Sequence, residues 1–282
     1  MKVGFVGLGR MGLAITSRMH AAGATPLVWN RSPKPAPQGV VTALSLQALV
    51  ADSDVIMVMV RDDEATLDIH AQLAALPLGG KIIAELGLNR LDTVRRLHDM
   101  ATHAGARFVD LPMVGTVAPA QAGQLLALAG GDEATLDILA PVVSTFTRRM
   151  VRCGPVGTGT AMKLCVNTLM GGYFGVLAES LGVGAAAGLR VEDMLAVIQD
   201  TPAALPALAP KAAVIQGATP PVAYSIDGVC KDLAVIAASA QGMNVPTPIT
   251  WAALETFRRA GQRYGDDKDL AIVARAYLDE SA

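Results

Sequence analysis

The sequence predicts an α/β domain followed by an all-α domain. Three observations carry that expectation. Through residues 1–157, apolar runs of strand length alternate with helically spaced stretches; a G-x-G-x-x-G segment directly follows the first run; and from residue 158 onward the pattern is helical. Strands that are apolar on both faces, alternating with helices, mean a parallel sheet covered by helices. Residues 1–157 are therefore expected to form a Rossmann-type dinucleotide domain. Residues 158–282 are expected to form an all-helical substrate and oligomerisation domain, opened by one long interdomain helix.

Each element has its own reason. KVGFVGLG is a short apolar run ending in glycines, as a buried strand does, and MGLAITSRMHAAG has helical spacing that stops at Gly23. TPLVWNR is a second strand, Leu44 to Ala51 a short helix, and DVIMVMV a third strand. Ala65 to Leu76 is helical, KIIAELG a strand, Asp92 to Ala104 helical, ARFVDLP a strand, and LLALAGG a further strand. One long apolar helix is expected from Gly159 to about Ala187. Further helices are expected around Val191–Gln199, Gly228–Gln241, Thr250–Ala260 and Leu270–Tyr277, some of them parted by breaks such as TPAALPALAP and GATPPVAYS.

The 282 residues are 52% hydrophobic and 17% charged, so the chain buries a core and is not disordered. A net charge of −2 without long charge runs points away from nucleic acid and from an anionic membrane surface. Cys153, Cys165 and Cys230 lack a CxxC spacing, so neither a disulfide framework nor a zinc site is expected. His20, His70, His98 and His103 read as surface or packing residues. MKVGFVGLG enters a strand without the apolar core of a signal peptide, and no uninterrupted apolar run reaches about 18 residues. A reducing cytoplasm and no membrane span are the resulting expectations.

GLGRMG, from Gly7 through Leu8, Gly9, Arg10 and Met11 to Gly12, fits the dinucleotide fingerprint in its required context, after a strand and opening a helix. Gly7 serves the tight turn, Gly9 the approach of a pyrophosphate, and Gly12 the packing of helix on sheet. An NAD site wants an acidic residue about 20 residues on, at the end of the second strand. The chain has Asn30 and Arg31 there, with Ser32 and Lys34 following. A guanidinium suits a 2′-phosphate by charge and by geometry, so NADP is expected. Val60, closing the third strand, is counted with these cofactor-contacting residues.

Residues 153–178 carry a single charge, Lys163. Desolvating a lone ammonium is costly and lowers its pKa, so Lys163 either snorkels to water or does chemistry. Asn167 lies four residues on and shares its helix face, and Gly171 follows one turn later, leaving space for a ligand.

Taken together, these segments resemble the β-hydroxyacid dehydrogenase family, the group of 3-hydroxyisobutyrate and tartronate semialdehyde dehydrogenases. The likeness rests on Gly7–Gly12, on Asp110-Leu-Pro-Met-Val-Gly-Thr116, on Gly157-Thr-Gly159 with Lys163 and Asn167, and on Lys231-Asp232-Leu233. It implies a Rossmann domain followed by a helical one, in dimers or tetramers. It also implies Lys163 as general acid/base, Asn167 as a substrate ligand, Lys231 near cofactor and substrate, and Val114, Gly115 and Thr116 as the substrate loop. Where the family's loop reads D-x-P-V-S-G-G, this chain has Val114 for the serine and Thr116 for the second glycine. Gly87-Leu88 stands where the family carries a Ser-Thr pair. Both changes make the site less polar. Imine reductases share the GLGxMG opening but generally lack the lysine. The functions implied are thus a hydride-transferring oxidoreductase, with imine reduction or a non-catalytic dinucleotide-binding module as alternatives.

Overall fold

The computed structural model describes residues 1–279; the last three residues of the expected second domain lie outside the described residues. The chain divides into two units, Met1–Leu164 and Cys165–Ala282.

The first unit runs β1 (Val3–Val6), α1 (Arg10–Ala21), β2 (Leu27–Trp29), α2 (Leu46–Ala51), β3 (Val55–Val58), α3 (Asp63–Ala74), β4 (Ile82–Glu85) and α4 (Leu91–His103). It continues through β5 (Arg107–Asp110), β6 (Met113–Val114), α5 (Val117–Gln121), β7 (Leu125–Gly130), α6 (Glu133–Val143) and β8 (Thr147–Gly154) into α7 (Thr158–Ala186), whose first turns belong to this unit. The sheet order is β2-β1-β3-β4-β5-β7-β6, with β8 also paired to β7.

β2, β1, β3, β4 and β5 are parallel, as the alternation predicts. The wholly parallel sheet needs a correction: β7 pairs antiparallel with β5 and β6. A parallel pair requires a crossover of a dozen or more residues, and only the short α5 separates β6 from β7. α6 supplies such a crossover between β7 and β8, and that pair is parallel.

Alternate strand residues feed two cores. Val55 and Met57 join Phe5, Ile15 and Phe146 on one face, while Ile56 and Val58 join Leu49, Leu97 and Phe108 on the other. Truncating Leu97 to Ala would cost about 2–5 kcal/mol. Side-chain caps start α2, α3 and α6 in this unit: Ser45 accepts from the Ala48 amide, Asp62 from Ala65 and Asp132 from Thr135. The sequence pattern does not announce α6 or β8. Arg148, Arg149 and Arg152 of β8 are exposed, so the strand shows no apolar run. Arg152 reaches back to Glu133 and Asp137 of α6.

The second unit carries the rest of α7, then α8 (Val191–Gln199), α9 (Ala212–Ile215), α10 (Ile226–Gly242), α11 (Pro248–Tyr264) and α12 (Val273–Leu278). Phe174, Leu233, Leu254 and Phe257 are buried there. Glycines let neighbours press against α7: a Cβ on Gly182 would lie 2.9 Å from Tyr277 Cβ. α7 is the helix that bears on the expectation of no membrane span. With 29 residues and a mean hydropathy of 1.2 over its most apolar window, it is long and apolar enough to cross a membrane by length and composition. A core helix of a soluble protein meets the same mark.

Candidate functional site

In the first unit the glycine loop joins β1 to α1. Gly7 has φ +105°, and a Cβ there would strike the Met59 carbonyl, with Val60 Cγ1 3.3 Å away. Gly12 packs against the Gly7 carbonyl, so a side chain at either position is excluded by backbone. Gly9 caps α1 at an ordinary φ of −68° and would meet nothing within 4 Å. The loop is thus closed at its two outer glycines and open at the middle one. The N-terminus of a twelve-residue helix stands behind that opening, and its free amides favour an anion.

The end of β2 fixes this loop. Asn30 Oδ1 accepts the Leu8 amide at 2.8 Å, and its Nδ2 donates to the Ser32 carbonyl at 2.7 Å. Lys34 Nζ donates to the Leu8 carbonyl at 3.3 Å. Asn30 and Lys34 are therefore held on the glycine loop. Arg31 is 69% exposed along its side chain and faces Asp68 at 3.6 Å, a pairing of little strength in water. Ser32 is exposed, and Met11 and Val60 are half-buried.

Asp110 is buried at the end of β5. Its Oδ1 accepts the Gly157 amide and its Oδ2 the Thr160 amide, both at 2.6 Å. The carboxylate thereby ties the first turn of α7 to the sheet. Burial pushes its pKa up, and the two amides act against that rise. Gly159 permits the approach, since a Cβ there would lie 2.9 Å from the Asp110 carbonyl oxygen. Lys163, one turn further along, is half-buried. Val114 ends β6 and is half-buried, Gly115 has φ +129°, and Thr116 caps α5 by position without a side-chain capping bond. Near the end of β4, Glu85 holds His70 at 2.9 Å and accepts the Gly87 amide at 2.8 Å, while the Asn89 amide nitrogen is buried without a hydrogen-bond partner.

In the second unit, Asn167 and Lys231 meet through Asp232, the middle residue of the Lys231-Asp232-Leu233 motif. Asp232 is 8% exposed. Its Oδ1 faces Lys231 Nζ at 2.9 Å, and its Oδ2 accepts Asn167 Nδ2 at 2.7 Å and also the Tyr224 hydroxyl. Burial, first, and then the Asp232 charge hold the Tyr224 phenol well above its usual range, so it stays a donor. Asn167, Gly171, Tyr224 and Asp232 line a small cavity with Met170 and Leu233. The direction in which Gly171 was expected to leave space is filled: a Cβ would lie 2.7 Å from Leu233 Cδ2. That glycine serves the approach of α10 to α7. No signal in the sequence tied Tyr224 to Asn167.

Residues 2–154 match the NAD binding domain of 6-phosphogluconate dehydrogenase, and residues 157–277 match the NAD-binding domain of NADP-dependent 3-hydroxyisobutyrate dehydrogenase. The chain is 28% identical to the cytokine-like nuclear factor N-PAC of Mus musculus over 98% of its own length and 51% of that protein. It thus spans about half the length of those curated relatives. It is 27% identical to glyoxylate/succinic semialdehyde reductase 1 of Arabidopsis thaliana, covering 98% of both. Among solved structures, a 3-hydroxyisobutyrate dehydrogenase of Mycobacterium tuberculosis with L-serine superposes at a TM-score of 0.85, with 23% identity and 98% of each chain covered. The last likeness bears on fold alone.

Proposed function

The chain belongs to the β-hydroxyacid dehydrogenase family, and on that premise we propose that it is an NADP-dependent oxidoreductase acting on a small carbonyl/hydroxy pair of the semialdehyde or hydroxyacid type. One observation carries the reading: the glycine loop is shut at Gly7 and Gly12, open at Gly9, and pinned by Asn30. A dinucleotide's phosphates fit that opening at the start of α1. Arg31, exposed at the end of β2 beside Lys34, supports a 2′-phosphate there, as does the NADP-dependent enzyme whose model matches the second unit.

A bound nicotinamide supplies or takes the hydride. The chain's residues handle the rest. Lys163 as ammonium gives a proton to the carbonyl oxygen in reduction, and as amine takes the alcohol proton in oxidation; positioned acid–base transfer contributes about 10²–10⁴-fold. Asn167 hydrogen-bonds the substrate, and Lys231 adds positive charge near it. Val114, Gly115 and Thr116 contact the substrate. Val114 offers no donor to a carboxylate, and one lost charge-assisted bond costs about 1.5–3 kcal/mol. An aldehyde without a carboxylate therefore suits the loop better than 3-hydroxyisobutyrate.

The proposal includes a homodimer or homotetramer in a reducing cytoplasm, with no nucleic acid or membrane partner. Leu169, Val176 and Val183, seven residues apart on α7, are 73%, 56% and 73% exposed; such a stripe supports assembly through this helix. The likeness to the nuclear factor favours a second reading, a dinucleotide-binding module without turnover. NADPH oxidation with glyoxylate, succinic semialdehyde, other small aldehydes and cyclic imines separates the readings. Turnover of an aldehyde supports the first. Faster turnover of an imine moves the activity to imine reduction, and NADPH binding with no turnover assigns the module.

A further inference from the structure

The Asn167 amide can bind a substrate in a defined sense only if it cannot flip. A carboxylate only accepts hydrogen bonds, so the contact with Asp232 forces the amide nitrogen inward and fixes which way the carbonyl oxygen points. The orientation of Asn167 is then as good as the orientation of Asp232. That carboxylate has two pulls on it. Lys231, with a side chain 29% exposed, draws Oδ1 towards solvent. The Tyr224 hydroxyl, from the residue preceding the α10 cap Ser225, holds Oδ2 inward beside Asn167.

We propose that Tyr224 is a positioning residue for the reaction: its phenol holds Asp232 in the rotamer that fixes the Asn167 amide. The inference rests on the substrate-binding role proposed for Asn167. Without the phenol, the carboxylate keeps Lys231 as its strongest partner and turns towards it, and Asn167 loses its fixed acceptor. The phenol's high pKa keeps it a donor through the working range, so the arrangement does not come apart as pH rises to neutrality and above.

The test is a double-mutant cycle with NADPH and the fastest aldehyde of the panel. Tyr224→Phe removes one oxygen and keeps the ring. It should lower kcat/KM roughly 10-fold, as the loss of one supporting hydrogen bond does. The loss should appear in KM for the aldehyde, with the Kd for NADPH and the melting temperature close to wild type. In an Asn167→Ala background, Tyr224→Phe should have almost no further effect, because there is no amide left to hold. Additive losses, or a full Tyr224→Phe penalty in the Asn167→Ala background, overturn the inference while leaving the oxidoreductase reading in place. Asn167→Ala within twofold of wild type removes the role of Asn167 and this inference with it. So does a protein that turns over no member of the panel.

Discussion

Gly12→Ala tests the cofactor loop most directly, because the structure sets its cost. An added Cβ would fall within the contact shell of the Gly7 carbonyl oxygen, with Gly7 C at 3.1 Å and Phe5 Cε1 at 3.2 Å. Gly7 is itself held, since its amide donates to the Trp29 carbonyl at 2.9 Å. The backbone cannot retreat without breaking the β1–β2 ladder, so α1 must move away by roughly 1 Å, an overpacking that costs about 1–3 kcal/mol. In a unit of this size each kcal/mol lowers Tm by about 2–4 °C, so a fall of about 4–8 °C is expected for the middle of that range. Withdrawing the helix N-terminus also weakens phosphate binding by up to about 2 kcal/mol, or roughly 30-fold in Kd for NADPH. Gly9→Ala is the control. Its Cβ meets nothing and its φ is ordinary, so apo Tm should hold while the Kd for NADPH rises. Thermal melts with and without NADPH, and a fluorescence titration, read both variants. A Gly12→Ala protein within about 1 °C and twofold of wild type would refute the packing argument, and a Gly9→Ala protein with wild-type affinity would refute the placing of phosphates over Gly9.

Four further expectations follow from the same geometry. Lys163→Met should lower kcat by roughly 10²-fold or more and remove one limb of the pH–rate profile, with NADPH affinity nearly unchanged; a kcat within a few-fold of wild type counts against the acid/base role. Arg31→Asp should weaken NADPH binding more than NADH binding, and a wild type that binds NADH more tightly contradicts the reading of the β2 end. Val114→Ser should raise turnover of 3-hydroxyisobutyrate, which the wild type should handle worse than aldehydes in the same assay. Burial pushes the Cys230 thiol up to about 11, so only about one thiol in a thousand is ionised at pH 8 and alkylation should be slow until the pH approaches that value. Exposed Cys165 should label first, and mass spectrometry of tryptic peptides gives the order.

The first five strands and the fingerprint were legible because each carries its signal locally: an apolar run, a glycine spacing, a charge at a strand end. β8 was not, because an edge strand that shows Arg148, Arg149 and Arg152 to water has no apolar run to read. α6 was hidden for another reason. Its sequence contains Pro141, which reads as a break, while its start depends on the cap at Asp132. The reversal of β7 depends on how short a connection the fold can turn, and periodicity does not record that. At the candidate site, Lys163 and Asn167 share a helix and were found by spacing. Asp232 joins Asn167 across 65 residues of chain and brings Tyr224 with it, and nothing local marks such a contact. Gly171 shows the converse: its spacing is plain in the sequence, but whether a glycine leaves a gap or admits a neighbour is decided by Leu233 on another helix.

The arginines of β8 also bear on how copies of the chain can meet. Among the described residues, β8 pairs with β7 on one side only, so its other side presents unpaired amides and carbonyls, a template on which a second sheet could continue. Arg148 and Arg149 along that border oppose such a continuation, because two copies approaching edge to edge would bring like charges together. Arg152 is further anchored to α6 by two carboxylates, so that one cation is fixed at the border by the fold. Sheet growth is blocked where backbone would permit it, which leaves the uncharged stripe on α7 as the face where self-recognition carries no such penalty. Replacing Arg148 and Arg149 with threonine should therefore yield a protein that folds normally but gains concentration-dependent β-type aggregates, seen as thioflavin binding and a sedimentation tail that the wild type lacks.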